Sequence, residues 1–443
     1  VSAVTNTLEG TREEWRCGVE SDVRLRQRGT VWHVRAAWQR DLLGAGGPDW
    51  FALETDPRSE AVKAGDGRMT WRVALPRGVV YAKVVDAIGW TRRWRCRLSA
   101  GAAQREWRLA RMTETRGIPA VRCVGLGVRG GHTPRTVILS EGLTGAVELS
   151  VAWAQCAGLC LPAQCHRSVS GLIEGVARLF AVAHERGFVH GDAHPGNILV
   201  RTGDIAGAKA EAFFVDVHEA RLLRGPVPPR AAAASLAQLD RYFHRLASRT
   251  RRLRFLKAYL AGRPSMERFL EDPNAQRRFL SSVVAARVKG ARHLARHWDR
   301  RLRRTGKYFA TFDLGAGWRA RAVLELERRH VFPEPEVRDR TMEQWRLLLR
   351  RVIERLPEME GGGRPFEHEG LVVEVDRVGS LPGRLFASML RTEQLREFNV
   401  SHQLRHRDSA GDLVLAYAEH RTGGLVDVTF LMRAEAPRSP SDP

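Results

Sequence analysis

At 443 residues the chain exceeds the size to which one hydrophobic core grows, so more than one lobe or domain is expected. A hydrophobic content of 43% and twelve Trp exclude a disordered chain, and six dispersed Cys exclude a disulfide-stapled secreted fold. The formal charge of +22 invites an anionic partner, although 66 of the 72 basic residues are Arg, a bias that a G+C-rich genome produces without any binding surface. No stretch approaches about 18 uncharged apolar residues and no basic-then-apolar leader opens the chain, so a cytoplasmic protein is expected, with peripheral contact at the inner membrane left open. No specific nucleic-acid partner is expected. Cys156, Cys160 and Cys165 with His166 fit no common zinc spacing.

Residues 1–52 read as an N-terminal extension with two Trp-rich, mostly polar stretches. Over residues 53–143 the pattern predicts strands at 61–64, 70–75 and 79–85, separated by Gly65-Asp66-Gly67 and Pro76-Arg77-Gly78 turns. A helix over 102–115 follows, ended by Gly117-Ile118-Pro119, and then strands at 121–128 and 136–140. This predicts a five-stranded antiparallel lobe with one helix after the third strand. Residues 144–304 read as a mainly helical lobe. Leu172, Ile173, Val176, Leu179, Phe180 and Ala183 mark a buried helix over 168–186, and helix follows helix from 231 onward. Short strands at 188–190, 198–200 and 212–217 interrupt it.

The chemistry concentrates in His190-Gly191-Asp192-Ala193-His194-Pro195-Gly196-Asn197, set between two apolar strands. An acid and an amide five residues apart in a tight loop suit phosphoryl transfer. The carboxylate takes the acceptor hydroxyl's proton, and the amide oxygen helps hold a phosphate-bridging cation. Asp216, at the end of Phe213-Phe214-Val215, offers a second oxygen ligand. Lys83 in Val80-Tyr81-Ala82-Lys83-Val84 is one of only six Lys, which fits a role for a compact ammonium. Glu106 on the following helix is its expected partner.

The loop resembles the catalytic loop of the protein-kinase-like superfamily in its His-Gly-Asp-x-His-Pro-x-Asn form. The nearest likeness is to the lipopolysaccharide core heptose/Kdo kinase family. It is carried also by Val80-Tyr81-Ala82-Lys83, by Gln104-Arg105-Glu106-Trp107 before Gly117-Ile118-Pro119, and by the Arg-rich helix over 248–260. The resemblance implies a bilobal α+β kinase using ATP and Mg, with Asp192, Lys83, Glu106, His190 and His194 in catalysis. It implies metal ligands at Asn197 and Asp216, and cofactor contacts from Gly65, Gly67, Lys83, Glu141 and Leu143. The implied acceptor is an anionic glycolipid or lipopolysaccharide core sugar. Three rivals stay open: a Ser/Thr protein kinase, an aminoglycoside-type kinase and a non-catalytic scaffold. Against the first stand Gly191, where regulated protein kinases carry Arg, and the absence of Ala-Pro-Glu after Asp216.

Residues 305–364 read as a connector with an amphipathic stretch at 345–349 and a Gly361-Gly362-Gly363 hinge. Residues 365–433 mirror the first lobe. Glu374 lies 23 residues before Glu397, as Lys83 lies 23 before Glu106, which predicts a degenerate second lobe without a helical partner. Residues 434–443 read as a disordered tail.

Overall fold

The computed structural model describes residues 22–434 except 66–67, 87–89, 131–134, 159–161, 202–209, 326–339, 357–364, 390–391 and 407–412. The protein is α+β, and its chain divides into two compact units, residues 1–287 and 288–443.

The first unit opens with a seven-stranded antiparallel sheet in the order β1-β2-β6-β7-β5-β4-β3. Its strands are β1 Asp22–Gln27, β2 Thr30–Arg35, β3 Ser59–Gly65, β4 Arg68–Leu75, β5 Gly78–Asp86, β6 Cys123–Arg129 and β7 Arg135–Glu141. Five strands were expected. The two extra ones come from the N-terminal extension, where β2 pairs with β6 from Thr30↔Arg129 to Val34↔Gly125. In Thr-Val-Trp-His-Val-Arg, only Thr30, Trp32 and Val34 alternate inward together with Arg35, so the strand looks polar when read as a string. Beyond it, the short helix α1 Gln39–Leu43 and the loop to β3 deliver Trp38, Leu42, Trp50 and Phe51 onto the same sheet face, against Val80, Ala82 and Leu139. The Trp-rich stretches are thus one half of a core.

On the opposite face lies α2, Trp90–Thr115, which joins β5 to β6 and begins well before the residues its pattern marked. Trp107 and Ala110 pack with Leu126 and Ile138. Buried Arg35 crosses to this helix, donating two hydrogen bonds to the Glu114 carboxylate at 2.9 and 2.5 Å and a third to the Cys123 carbonyl at 2.7 Å.

The rest of the unit is mainly helical: α3 Leu149–Gly158, α4 Pro162–Glu185, α5 Pro229–Leu246, α6 Arg249–Ala261, α7 Glu267–Glu271 and, as far as Arg287, α8 Pro273–Arg301. Helix α4 buries its apolar stripe, as its spacing predicts, and stops at Gly187 with φ 77°. His184, fully buried, bridges the Tyr259 hydroxyl at 2.8 Å and the Ser235 hydroxyl at 3.0 Å, tying α4 to α6 and α5. Two small sheets are set among the helices: β8 Ala146–Glu148 with β10 Ile198–Arg201 and β11 Glu211–Phe214, and β9 Phe188–Val189 with β12 Arg221–Leu222.

The second unit is built on a six-stranded antiparallel sheet in the order β13-β14-β17-β18-β16-β15. These are β13 Phe309–Gly315, β14 Trp318–Val323, β15 Phe366–His368, β16 Leu371–Arg377, β17 Val414–Thr422 and β18 Leu425–Ala434. Helices α9 Met342–Arg355, α10 Leu381–Met389 and α11 Glu393–His406 accompany it. The stretch expected as a connector therefore supplies two strands and a helix. The pairing of β14 with β17, from Trp318↔His420 to Ala322↔Ala416, fixes the first two in the sheet. Helix α9 starts with a Thr341–Gln344 capping box, and its buried Trp345 donates to the Val323 carbonyl at 2.6 Å. The triple-glycine hinge and the C-terminal tail lie outside the described residues, apart from Ala434, which ends β18.

The two sheets share a strand order. With β16 set on β5, the neighbours β18, β17, β14 and β13 fall on β7, β6, β2 and β1, and β15 falls on β4. In each unit the helical insertion follows the strand so aligned: α2 after β5, and α10 with α11 after β16.

Candidate active site

Alternation along β5 buries Val80, Ala82 and Val84 on the Trp-rich face and turns Lys83 to the other, beneath α2. There its ammonium lies 3.4 Å from Glu106 and 2.8 Å from Asp216. Burial pushes the Glu106 carboxyl up from its ordinary range, with Lys83 opposing the shift and Asp216 adding to it. Asp216 goes the other way. Burial alone would raise it, but the hydrogen bond from His218 at 2.5 Å and the charge of Lys83 hold it well below the carboxylate range. His218 is correspondingly raised, first by that bond to Asp216 and against the effect of burial. The opposite shifts follow from distance: Asp216 has two close cationic donors, whereas the more deeply buried Glu106 has one longer contact. Nearby, burial pushes the Cys123 thiol up to about 12, with Glu106 contributing, so this thiol stays neutral.

Asp216 itself stands in the left-handed region, at φ 54° and ψ 57°, two residues past the end of β11. Such a conformation is uncommon for a non-glycine residue and persists where the surroundings fix it. Here the Lys83 and His218 contacts do so.

The loop between β9 and β10 is held from beneath. His190 is buried, 1% exposed, and donates from Nε2 to the Val215 carbonyl at 2.8 Å, its ring packed on Phe188 and Phe214. Burial lowers its pKa, with the Val215 bond acting against that shift. Gly191 adopts φ 84°, and a Cβ there would come within 2.5 Å of the Glu219 carbonyl oxygen. His194 caps the turn Pro195–Asn197, accepting from the Gly196 amide at 3.1 Å. The Asn197 side-chain amide donates to the Asp192 carbonyl at 2.9 Å and to its carboxylate at 3.4 Å, which leaves the Asn197 oxygen for another partner. The Asp192 carboxylate is about half exposed, with His194 Nε2 at 3.7 Å.

The structure therefore brings Lys83, Glu106 and Asp216 into one cluster, and Asp192, His194 and Asn197 into one loop. It sets His190 beneath that loop, with its Nε2 committed to the backbone. Glu141, at the end of β7, pairs with Val80 and gives its amide to the Arg122 carbonyl at 2.9 Å; Leu143 follows in the turn leading to β8. Gly65 ends β3 opposite Arg68, and Gly67 lies outside the described residues. So do Cys160 and the side chains of Cys165 and His166, and no metal-holding group of His, Cys, Asp and Glu is found among the described residues.

Two residues escaped the sequence reading. Gln238 on α5 donates to the Gly191 carbonyl and accepts from the Ala193 amide, both at 2.7 Å, and so clamps the loop on either side of Asp192. Its only signal is an amide within a helical stretch whose neighbours Leu236, Ala237 and Leu239 are buried. His218, two residues beyond Asp216, is given no role by the sequence pattern.

A strand lysine paired with a helix glutamate, facing a loop acid and amide and a strand-end aspartate, is the constellation of a kinase. The profile of the lipopolysaccharide kinase (Kdo/WaaP) family matches residues 81–259, from within β5 to within α6. Among solved structures, one described as "WaaP in complex with acyl carrier protein" is 23% identical, with 58% of this chain and 98% of that chain covered and a TM-score of 0.41. No curated protein matches. Strands β1–β4 and the whole second unit lie outside the matched segment.

Proposed function

We propose that the protein transfers the γ-phosphate of ATP to a sugar hydroxyl of a lipopolysaccharide core or a similar anionic glycolipid. The observation that carries this reading is the convergence of Glu106 and Asp216 on the Lys83 ammonium, two residues that lie 23 and 133 positions away in the chain. Lys83 has three donors, and two are so placed, which leaves one for an α- or β-phosphate oxygen. Glu106 holds the ammonium in position. Asp192, exposed and oriented by Asn197, accepts the proton of the acceptor hydroxyl as its oxygen bonds to the γ-phosphorus, and the bond to the β,γ-bridging oxygen breaks to release ADP.

The Asn197 oxygen and the ionised Asp216 carboxylate form a hard-oxygen set that suits Mg, which when bound neutralises charge on the β- and γ-phosphates. His190, Gln238 and His194 are positioning residues: they fix the loop and do not reach the reacting atoms. At the end of β7, Glu141 and Leu143 offer backbone groups to adenine, and Gly65 and Gly67 offer amides to phosphate. Gly191 and the early start of α5 at Pro229 leave no protein-substrate platform in view, and a basic chain suits an anionic acceptor at a membrane surface.

Turnover of Mg-ATP should be compared across glycolipid, protein and aminoglycoside acceptors, with Asp192→Ala beside the native chain. Glycolipid phosphorylation that drops about 10²–10⁴-fold in the variant is expected. Phosphorylation of protein alone would sink the acceptor assignment, and ATP binding with no transfer would favour a scaffold.

We also infer that residues 53–143, with the preceding β1–β2, are the nucleotide-binding lobe, that the helical stretch to about 304 is its partner lobe, and that the second unit is a degenerate copy of the first lobe. The shared strand order supports the last point. So does the pairing register: Lys83 faces Ile138 across β5–β7, and Glu374 faces Leu431 across β16–β18. In the copy, Arg433 from β18 bonds Glu374 at 3.1 Å and also Glu397, so an arginine occupies the space between the two positions that in the first lobe hold the Lys83–Glu106 pair.

A further inference from the structure

Helix α5 meets the Asp192 loop at Gln238, which bonds both the Gly191 carbonyl and the Ala193 amide at 2.7 Å. Residues three and four further on lie on that same face of the helix, and here they are Arg241 and Tyr242. The Tyr242 ring is 6.3 Å from the ring of His194, whose Nε2 lies 3.7 Å from the Asp192 carboxylate. The Arg241 guanidinium in turn sits over the Tyr242 ring, 5.4 Å from its centroid. A short relay of side chains thus leads from the exposed Asp192 to a cation. That cation has no counter-ion on its own helix. The only acid of α5 is Asp240, which is turned away from the Gln238 face and taken by Arg252 at 2.8 Å and Arg287 at 3.0 Å. Among the described residues the Arg241 guanidinium forms no ion pair and no hydrogen bond. Stacking on a ring occupies the π face of a guanidinium and leaves the N–H donors at its edge free.

We propose that Arg241 binds the acceptor, holding a carboxylate or phosphate of that molecule while Asp192 takes the proton of its hydroxyl. The planar fork matches either oxyanion with two parallel hydrogen bonds, which an ammonium cannot supply. Tyr242 holds the guanidinium in place beforehand, so less side-chain freedom is lost when the oxyanion arrives. The proposal rests on the glycolipid reading above and narrows it: the acceptor carries an oxyanion close to the hydroxyl that is phosphorylated. A neutral sugar does not meet that requirement.

The test is calorimetric titration of the full chain, without nucleotide, with a lipopolysaccharide core glycolipid in detergent. The glycolipid is used whole, stripped of its phosphates, or with its carboxylates reduced. The native chain should bind the whole glycolipid. Removing the group that Arg241 holds should weaken binding by about 10- to 100-fold, which tells phosphate from carboxylate. Arg241→Ala should lose about the same factor toward the whole glycolipid and little more toward the form that lacks that group. Arg241→Lys keeps the charge without the fork and should recover only part of the loss. Equal affinity of native chain and Arg241→Ala for the whole glycolipid would overturn the proposal. So would an equal loss toward all three forms, which marks a structural role, or a loss of ATP affinity instead, which assigns the guanidinium to the nucleotide. Titration requires no turnover. Binding through Arg241 by a chain that phosphorylates no glycolipid would sink the proposed reaction and leave the oxyanion site standing, and a native chain that binds none of the three forms would overturn both.

Discussion

Asp216 receives two cationic donors on one carboxylate oxygen, from Lys83 and His218, while Gln238 bonds the backbone on both sides of Asp192. The first arrangement fixes a charge and the second fixes a geometry. They make different predictions. Gln238→Ala leaves the Gly191 carbonyl and the Ala193 amide without their partner, a loss of about 1–3 kcal/mol in the part-buried loop. Because the loop carries the proposed base, kcat should fall by about 10²-fold with KM for ATP little changed. A steady-state assay that shows KM rising instead would place Gln238 in nucleotide binding. At this scale the sequence was generous with chemistry and silent about support. Lys83, Glu106, Asp192, Asn197 and Asp216 announce themselves by residue type and spacing. Gln238 belongs to another element 45 positions from Ala193, and no local pattern connects the two.

Elements tell a complementary story. Most of the strands and helices of the first unit were legible because their periodicities are clean. β1 and β2 were not, because their inward residues include Thr30 and Arg35, and because the Trp that mark the extension pack on strands much later in the chain. Arg35 ties this region to α2. Its partner Glu114, raised by burial but lowered further by Arg35 and its neighbours, is held ionised. Arg35→Ala should therefore destabilise the first unit by about 3–5 kcal/mol, the penalty of breaking a buried pair, measured by denaturant unfolding. A change under about 1 kcal/mol would mean that the extension is only loosely attached.

His184 supplies the pH test at the same scale. Burial, with Arg263 adding, lowers its pKa to about 3, so it folds neutral between Tyr259 and Ser235. The unfolded chain binds the extra proton between about pH 6.5 and pH 3, so stability falls as pH drops through that window, by up to about 1.4 kcal/mol per unit. His184→Gln should flatten the slope while lowering stability at neutral pH, as thermal melts across this range would report.

For the molecule as a whole, the two units place charges differently at corresponding points of their sheets. Where the first lobe sets an ammonium between two acids, the second sets the Arg433 guanidinium between Glu374 and Glu397, and burial of Arg433 is more than offset by those two partners, which raise its pKa. Arg433→Ala leaves two carboxylates facing each other and should lower the unfolding free energy of the second unit by about 1–3 kcal/mol. It should leave ATP binding, followed by a fluorescent analogue, unchanged; weaker nucleotide binding would mean that the copy still takes part. In the sequence the proposed repeat is suggested by one coincidence of spacing, Lys83 to Glu106 and Glu374 to Glu397. Its full extent is not, because β13 and β14 precede 42 residues of intervening chain before β15 and pair with β17, a connection that only topology reveals.

The close approach of Gly191 to Glu219 has a consequence for control. A clamp that reads phosphorylation of a downstream segment requires a long cation at that loop position, and no side chain fits there while the Glu219 backbone stays where it is. One substitution cannot install such a switch; a shift of the whole turn after Asp216 would have to come with it. The backbone at Gly191 is thus fixed by its contact with the Glu219 turn and offers no room for such a clamp.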